Sequence, residues 1–147
     1  MDQVIKLEPQ GIREVWDEIK PGLEEIKRQW PEGSSWRVED VYAAVLSTEA
    51  VLYKTEDGFA ICTLEPDEFS GESDLCIWIA YSPNDKRGGM LMKYLPSFIE
   101  VAKHLGCQGV STVSNHPALA ACPGLMPVYT KYRVAIDEEA ETDPSDA

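Results

Sequence analysis

One stretch constrains the fold of this chain more than any other. An apolar run, Leu75 to Tyr81, has the large and branched residues of a buried central strand. Ser82-Pro83-Asn84-Asp85-Lys86-Arg87-Gly88-Gly89 follows, and then an amphipathic pattern runs to Leu105. A loop with a basic pair and a glycine pair therefore stands where a strand turns into a helix. The first amides of a helix have no intrahelical partner, and the helix dipole adds partial positive charge there. Glycines let the backbone approach a ligand closely, so the loop suits a pyrophosphate and points to a nucleotide-like cofactor.

The rest of the chain builds a frame around this unit. Val4, Ile5 and Leu7 suggest a first strand, and Pro9-Gln10-Gly11 breaks it. Ile12, Val15, Trp16, Ile19, Leu23, Ile26 and Trp30 follow helical spacing, with Pro21-Gly22 predicting a kink or two short helices. Val38, Val41, Tyr42, Val45 and Leu46 make the stripe of a second helix. The period then changes to that of strands at Ala50 to Thr55 and Phe59 to Leu64. Glu56-Asp57-Gly58 between them is a hairpin signal.

With Leu75 to Tyr81 these strands form a meander. The long helix carries Leu91, Tyr94, Leu95, Phe98, Ala102 and Leu105 on one face, and Gly106 stops it. Pro96 inside it predicts a kink. Val110 to Ser114 reads as a short strand, Ala118 to Cys122 as a short helix, and Val128 to Ile136 as a final strand. The fold class is α/β (α+β): a mixed, mostly antiparallel sheet with helices on both faces.

Charge and composition exclude several classes. The chain has 147 residues, enough for one domain with a core, and a net charge of −13. Asp137, Glu138, Glu139, Glu141, Asp143 and Asp146 supply six of those charges. Residues 1–137 form the expected domain and 138–147 an acidic, disordered tail, dispensable for folding. So negative a surface repels phosphate backbones, and nucleic acid is not an expected partner. No apolar run is long enough for a membrane span, and no secretory signal is visible at Met1-Asp2-Gln3. Cys62, Cys76, Cys107 and Cys122 form no CxxC pair and read as buried free thiols in a reducing compartment. No His/Cys/Asp spacing suggests a metal site.

The element order and the loop together resemble the GNAT superfamily (Gcn5-related N-acetyltransferases), over most of the chain up to about Asp137. The family signature is a strand, a proline, a short gap, then Arg/Gln-x-x-Gly-x-Gly/Ala opening a helix. Pro83 takes the proline place, Lys86 the Arg/Gln place, Gly89 the first glycine, and Leu91 stands at the second. Glu100 to Cys107 is similar to the family's helix end. Asn115 falls where an asparagine often follows the fifth strand.

The resemblance implies an N-acetyltransferase-like, acyl-CoA-dependent protein. Lys86, Arg87, Gly88, Gly89, Met90, Leu91 and Asn115 would then hold acetyl-CoA. Tyr129 would be the acid that protonates the thiolate, with Tyr132 second to it, and Asp74 the base. Both tyrosines also read as ordinary strand residues, Asp74 as a solvated strand-end carboxylate, and His104 and His116 as surface residues. Trp78 should alternate with Ile77 and Ile79, so that one of these faces bounds the acyl-CoA cleft.

Departures from the pattern leave a second reading open. Leu91 replaces a small residue and predicts crowding at the phosphate site, with weak or lost acetyl-CoA binding. Pro117, Pro123 and Pro127 crowd the usual fourth helix, and no last strand follows. The alternative is a non-catalytic GNAT-fold assembly protein, similar to the internal virion proteins of T7-like phages. An unknown amine acceptor or a protein is the expected partner. The expected location is the cytoplasm, or the virion if phage-encoded.

Overall fold

The computed structural model describes residues 3–31, 34–83, 89–113 and 124–128, with Tyr132, Val134 and Ile136. The elements are β1 (Ile5–Lys6), a 3-10 turn (Pro9–Gly11), α1 (Ile12–Gln29), α2 (Val38–Leu46), β2 (Val51–Lys54), β3 (Phe59–Pro66), β4 (Ser73–Tyr81), α3 (Gly89–His104) and β5 (Gly109–Thr112). The strands form one sheet in the order β1-β2-β3-β4-β5. Neighbours from β1 to β4 are antiparallel, and β4 and β5 are parallel. This is the mixed, mostly antiparallel sheet that the sequence predicts.

Both faces of the sheet are covered, which explains why the middle strands are apolar throughout rather than alternating. Phe59, Ile61 and Ile79 pack with Leu52 against Ile12, Ile19 and Leu23 of α1 and Val41 and Val45 of α2. Ala60, Cys62, Leu75 and Ile77 pack with Tyr53 against Leu91, Tyr94, Phe98 and Ala102 of α3. The 91, 94, 98, 102 spacing is one helical stripe, so α3 presents a single apolar face to the sheet.

The prolines leave both long helices continuous. α1 is continuous for 18 residues with Pro21 inside it, and it, not the 16-residue α3, is the longest helix among the described residues. Ile19 and Leu23, both fully buried, lie on either side of Pro21. Packing thus holds the helix through a residue that removes one of its hydrogen bonds. Gly22 must also lack a side chain, because a Cβ there would meet the rings of Tyr81 and Phe59 at 2.6 and 2.8 Å. α3 likewise runs unbroken through Pro96.

The expected final strand from 128 to 136 lies mostly outside the described residues. Val128, Tyr132, Val134 and Ile136 are described, are not in a strand, and are exposed. The expected helix 118–122 and the acidic tail also lie outside the described residues.

The β2–β3 hairpin closes as its Asp-Gly signal predicts. The Thr55 amide donates to the Gly58 carbonyl at 2.9 Å, and the Gly58 amide donates to Thr55 Oγ1 at 2.9 Å. A Cβ at Gly58 would fall 1.9 Å from the Tyr81 carbonyl oxygen. Backbone cannot yield as a flexible side chain does. Gly58→Ala should therefore cost at least about 2 kcal/mol in denaturant unfolding. Gly11→Ala should be neutral or stabilising, since Gly11 already has a helical φ of −62° and its Cβ would meet Leu7 at an ordinary 3.5 Å.

Candidate functional site

β4 is paired unequally on its two edges. Toward β3 it pairs along its whole length, from Ser73↔Pro66 to Tyr81↔Phe59. Toward β5 it pairs only from Asp74↔Gly109 to Ile77↔Thr112. Pairing on this outer edge therefore stops at Ile77, and the end of β5 at Thr112 leaves a fork beside β4. Among the described residues no strand lies along the outer edge of residues 78–81. Thr112 marks the apex, where its hydroxyl donates to the Ile77 carbonyl at 2.9 Å.

A β-bulge sits at the same point. Ile61 faces Ile79, yet Cys62 faces Ile77, so Trp78 is the extra residue. The bulge shifts the phase of β4. Ile77 packs on the α3 side, whereas Trp78 and Ile79 both pack on the α1 and α2 side. This corrects the expected alternation of Trp78 with Ile77 and Ile79. Bulges re-aim side chains in this way beside functional sites.

Beyond the fork, Tyr81 leads through Ser82 and Pro83 to the loop, and Gly89 opens α3. Lys86, Arg87, Gly88, Asn115, His116 and Tyr129 lie outside the described residues. The backbone of Gly89 and Met90 is the first turn of α3, at the open end of the fork. Leu91 is only 7% exposed and belongs to the apolar cluster beneath α3. Its side chain is committed to the core through the helical stripe, which differs from the crowding expected of it.

Asp74 lies apart from this end. It is the second residue of β4, pairs with Gly109 and sits close against it: a Cβ at Gly109 would lie 3.2 Å from Asp74 Oδ1. At a rise of about 3.3 Å per residue it is about 13 Å from Trp78 along the strand. The structure thus gathers Gly89, Met90 and Leu91 near the fork's open end and leaves Asp74 in its closed part. His104, the last residue of α3, is exposed at the far end of that helix.

Two groups that the sequence reading passed over shape this region. The first is Thr112, a polar residue at the end of a short strand with no pattern to single it out. The second is Asp57 in the hairpin turn. Its Oδ2 accepts from Lys93 Nζ at 2.6 Å and from the Tyr94 hydroxyl at 2.9 Å, tying the first turns of α3 to the hairpin. Hydrogen bonding from Lys93, then from Tyr94, holds the Asp57 carboxyl below its ordinary 3.8. Asp57 and Lys93 are 36 residues apart, so no local pattern announces the link.

Cysteine and tyrosine chemistry is restricted here. Burial pushes the Cys62 and Cys76 thiols up, so neither is poised as a thiolate nucleophile. Burial likewise pushes Tyr53 up to about 12, which keeps it a packed, protonated phenol. Among the described residues no helix is long and apolar enough to cross a membrane.

Two predictions follow from these contacts. A carboxylate with a depressed folded pKa stabilises above its unfolded pKa, and loses that contribution as pH falls through the folded value. Asp57→Asn should lower the melting temperature at pH 7, and the gap from the parent should narrow in thermal melts as pH falls below the ordinary carboxylate range, through the depressed value of Asp57. Leu91→Ala should cost about 2–4 kcal/mol in denaturant unfolding, as removal of a buried leucine does.

No family model matches the chain, and no curated protein sequence matches it. Solved structures do. A probable acetyltransferase is similar at a TM-score of 0.66 and 12% identity, over 92% of this chain and 99% of that one. A ribosomal-protein-alanine N-acetyltransferase from Brucella melitensis biovar Abortus 2308 gives 0.63 and 12%, over 92% and 99%. An aminoglycoside acetyltransferase from an uncultured soil metagenomic sample gives 0.63 and 11%, over 92% and 97%. The shared layout of a meander, a crossover helix and a parallel fifth strand makes this a GNAT-like fold.

Proposed function

We propose that the chain is an acyl-CoA-dependent N-acyltransferase. The observation that carries this reading is the fork: β4 loses its β5 partner after Ile77, bulges at Trp78, and runs on toward the first turn of α3. An extended, amide-bearing arm such as pantetheine can lie along the outer edge of residues 78–81 much as a strand would. Its pyrophosphate then reaches the start of α3, where helix amides and dipole favour an anion. Lys86, Arg87, Gly88, Gly89, Met90, Leu91 and Asn115 are the proposed holders of acetyl-CoA. The buried side chain of Leu91 favours the fit, because that position contributes its backbone while its bulk stays in the core.

Acetyl-CoA supplies an activated thioester, and the reaction exchanges its C–S bond for a C–N bond to an amine. The chain's part is positioning and proton handling. Tyr129 is the proposed donor to the departing sulfur. Asp74, about 13 Å from Trp78 along the strand, would accept the amine proton only through intervening water. Neither buried thiol need act, so acyl transfer passes directly between the two substrates. Residues 1–137 carry this activity in the proposal, with 138–147 as an appended tail.

Isothermal titration with acetyl-CoA tests this directly. Expected is one site per chain, weakened roughly a hundredfold or more when Lys86 and Arg87 are both replaced by alanine, since each charge-assisted contact is worth about 1.5–3 kcal/mol. No heat and no thermal shift at millimolar acetyl-CoA would overturn it. The non-catalytic assembly reading would then stand. The fully exposed Phe69, on a turn whose Asp67 carboxylate accepts from the Phe69 and Ser70 amides, suits a protein contact of that kind.

A further inference from the structure

The bulge beside the fork turns Trp78 onto the face opposite α3. There it meets Trp36 edge to face, with ring centroids 6.2 Å apart and planes at 77°. Trp36 belongs to the α1–α2 connection, and that connection is tied down. Lys27 of α1 donates from Nζ to the Ser34 carbonyl at 2.6 Å and to the Trp36 carbonyl. The Ser34 hydroxyl, in a residue 3% exposed, donates to the Trp30 carbonyl at 2.7 Å. Both tryptophans remain partly exposed. A fixed aromatic wall therefore borders the fork at the first residue past its apex.

The geometry points to this wall as the site that selects the acceptor, and to a monoamine carrying an aromatic ring as the acceptor class. The inference rests on the acyltransferase reading for the fork: with the acyl donor along the outer edge of residues 78–81, the amine approaches from the side of the wall, where α1 and α2 leave both indole rings partly exposed. Two charges argue about what kind of amine. The net charge of −13 draws cations toward the chain, but beyond about 8–10 Å that field is largely screened by salt. At the wall itself the Lys27 ammonium lies 4.9 Å from the centroid of the Trp36 ring. It already takes up one cation–π position and repels a second positive charge brought against that ring. A polyamine therefore gains little from the distant charges and is opposed at contact. A single ammonium avoids that conflict when it points to the fork while a neutral ring lies on Trp78. A ring so placed gains both burial and edge-to-face contact.

Phenylethylamine, butylamine and spermidine discriminate the possibilities. Binding of each to the CoA-loaded protein is measured by titration calorimetry, and acetyl transfer from acetyl-CoA by initial rates. Phenylethylamine should exceed butylamine by about tenfold in affinity and in kcat/KM, with spermidine weakest. The phenylethylamine-to-butylamine ratio should fall to about one in Trp78→Leu and shrink in Trp36→Leu, while Trp78→Phe keeps most of it. The leucine variants retain apolar bulk, and a thermal melt of each confirms that it folds. A ratio near one in the parent, a ratio unchanged in folded Trp78→Leu, or spermidine binding tightest would each overturn the inference. The acyltransferase reading fails separately. If CoA does not bind but phenylethylamine does, in a Trp78-dependent manner, the wall is a ligand site and the transfer reaction is lost. If CoA binds and no ring preference appears, the reverse holds.

Discussion

The structure turns on β4, a strand with a full partner on one edge and half a partner on the other. Every residue from 73 to 81 is needed to carry the antiparallel ladder with β3, apart from the single bulged Trp78. Only Asp74 to Ile77 face β5. Among the described residues no strand lies beside residues 78–81, and an unpaired backbone edge has donors and acceptors that go to water or to a ligand. Here that edge leads from the Thr112–Ile77 contact toward the first turn of α3. The candidate site is thus a gap in pairing more than a set of reactive side chains.

Holding such a gap open requires that its borders be fixed from elsewhere. On one side, Asp57 in the β2–β3 turn binds both Lys93 and Tyr94 and anchors the start of α3. Gly58 in the same turn lets the hairpin lie against the Tyr81 carbonyl, where any larger residue would collide. On the other side, Lys27 holds the α1–α2 connection by two of its carbonyls and fixes Trp36 against Trp78. Lys54 of β2 meets Glu18 of α1 at 2.7 Å and joins the hairpin to α1 as well. These contacts surround the fork but do not fill it, which is the arrangement that preorganisation for a ligand requires.

Chemistry in a site of this form depends on backbone and position. The buried thiols are raised away from reactivity, and Tyr53 is held protonated in the core. Similarity of 11–12% in identity to acetyltransferases of known structure carries the fold and not the substrate. The acceptor reading therefore rests on this chain's own tryptophans, which stand at the fork because of a bulge.

Local residue patterns carry the element order from β1 to β5, the meander, the Asp-Gly hairpin and the stripe of α3, because each is written in residues close together in the chain. Helical and strand periods depend on neighbours within a turn or two, and glycine and proline mark their ends. The sequence also placed the glycine-bearing loop at the start of α3. Tertiary structure alone decided the rest. Pro21 admits two short helices in a local reading, yet packing against the sheet carries α1 through it as one helix. Leu91 looks like an obstacle in a loop motif, yet the stripe turns it into the core. The bulge at Trp78 leaves no local mark, since an apolar run reads the same with one residue out of phase. It exists only because β3 opposes two residues of β4 with one step of its own. The Asp57–Lys93–Tyr94 link and the Trp36–Trp78 wall join residues 36 to 42 positions apart. Such pairs meet only when the whole sheet and its helices have closed.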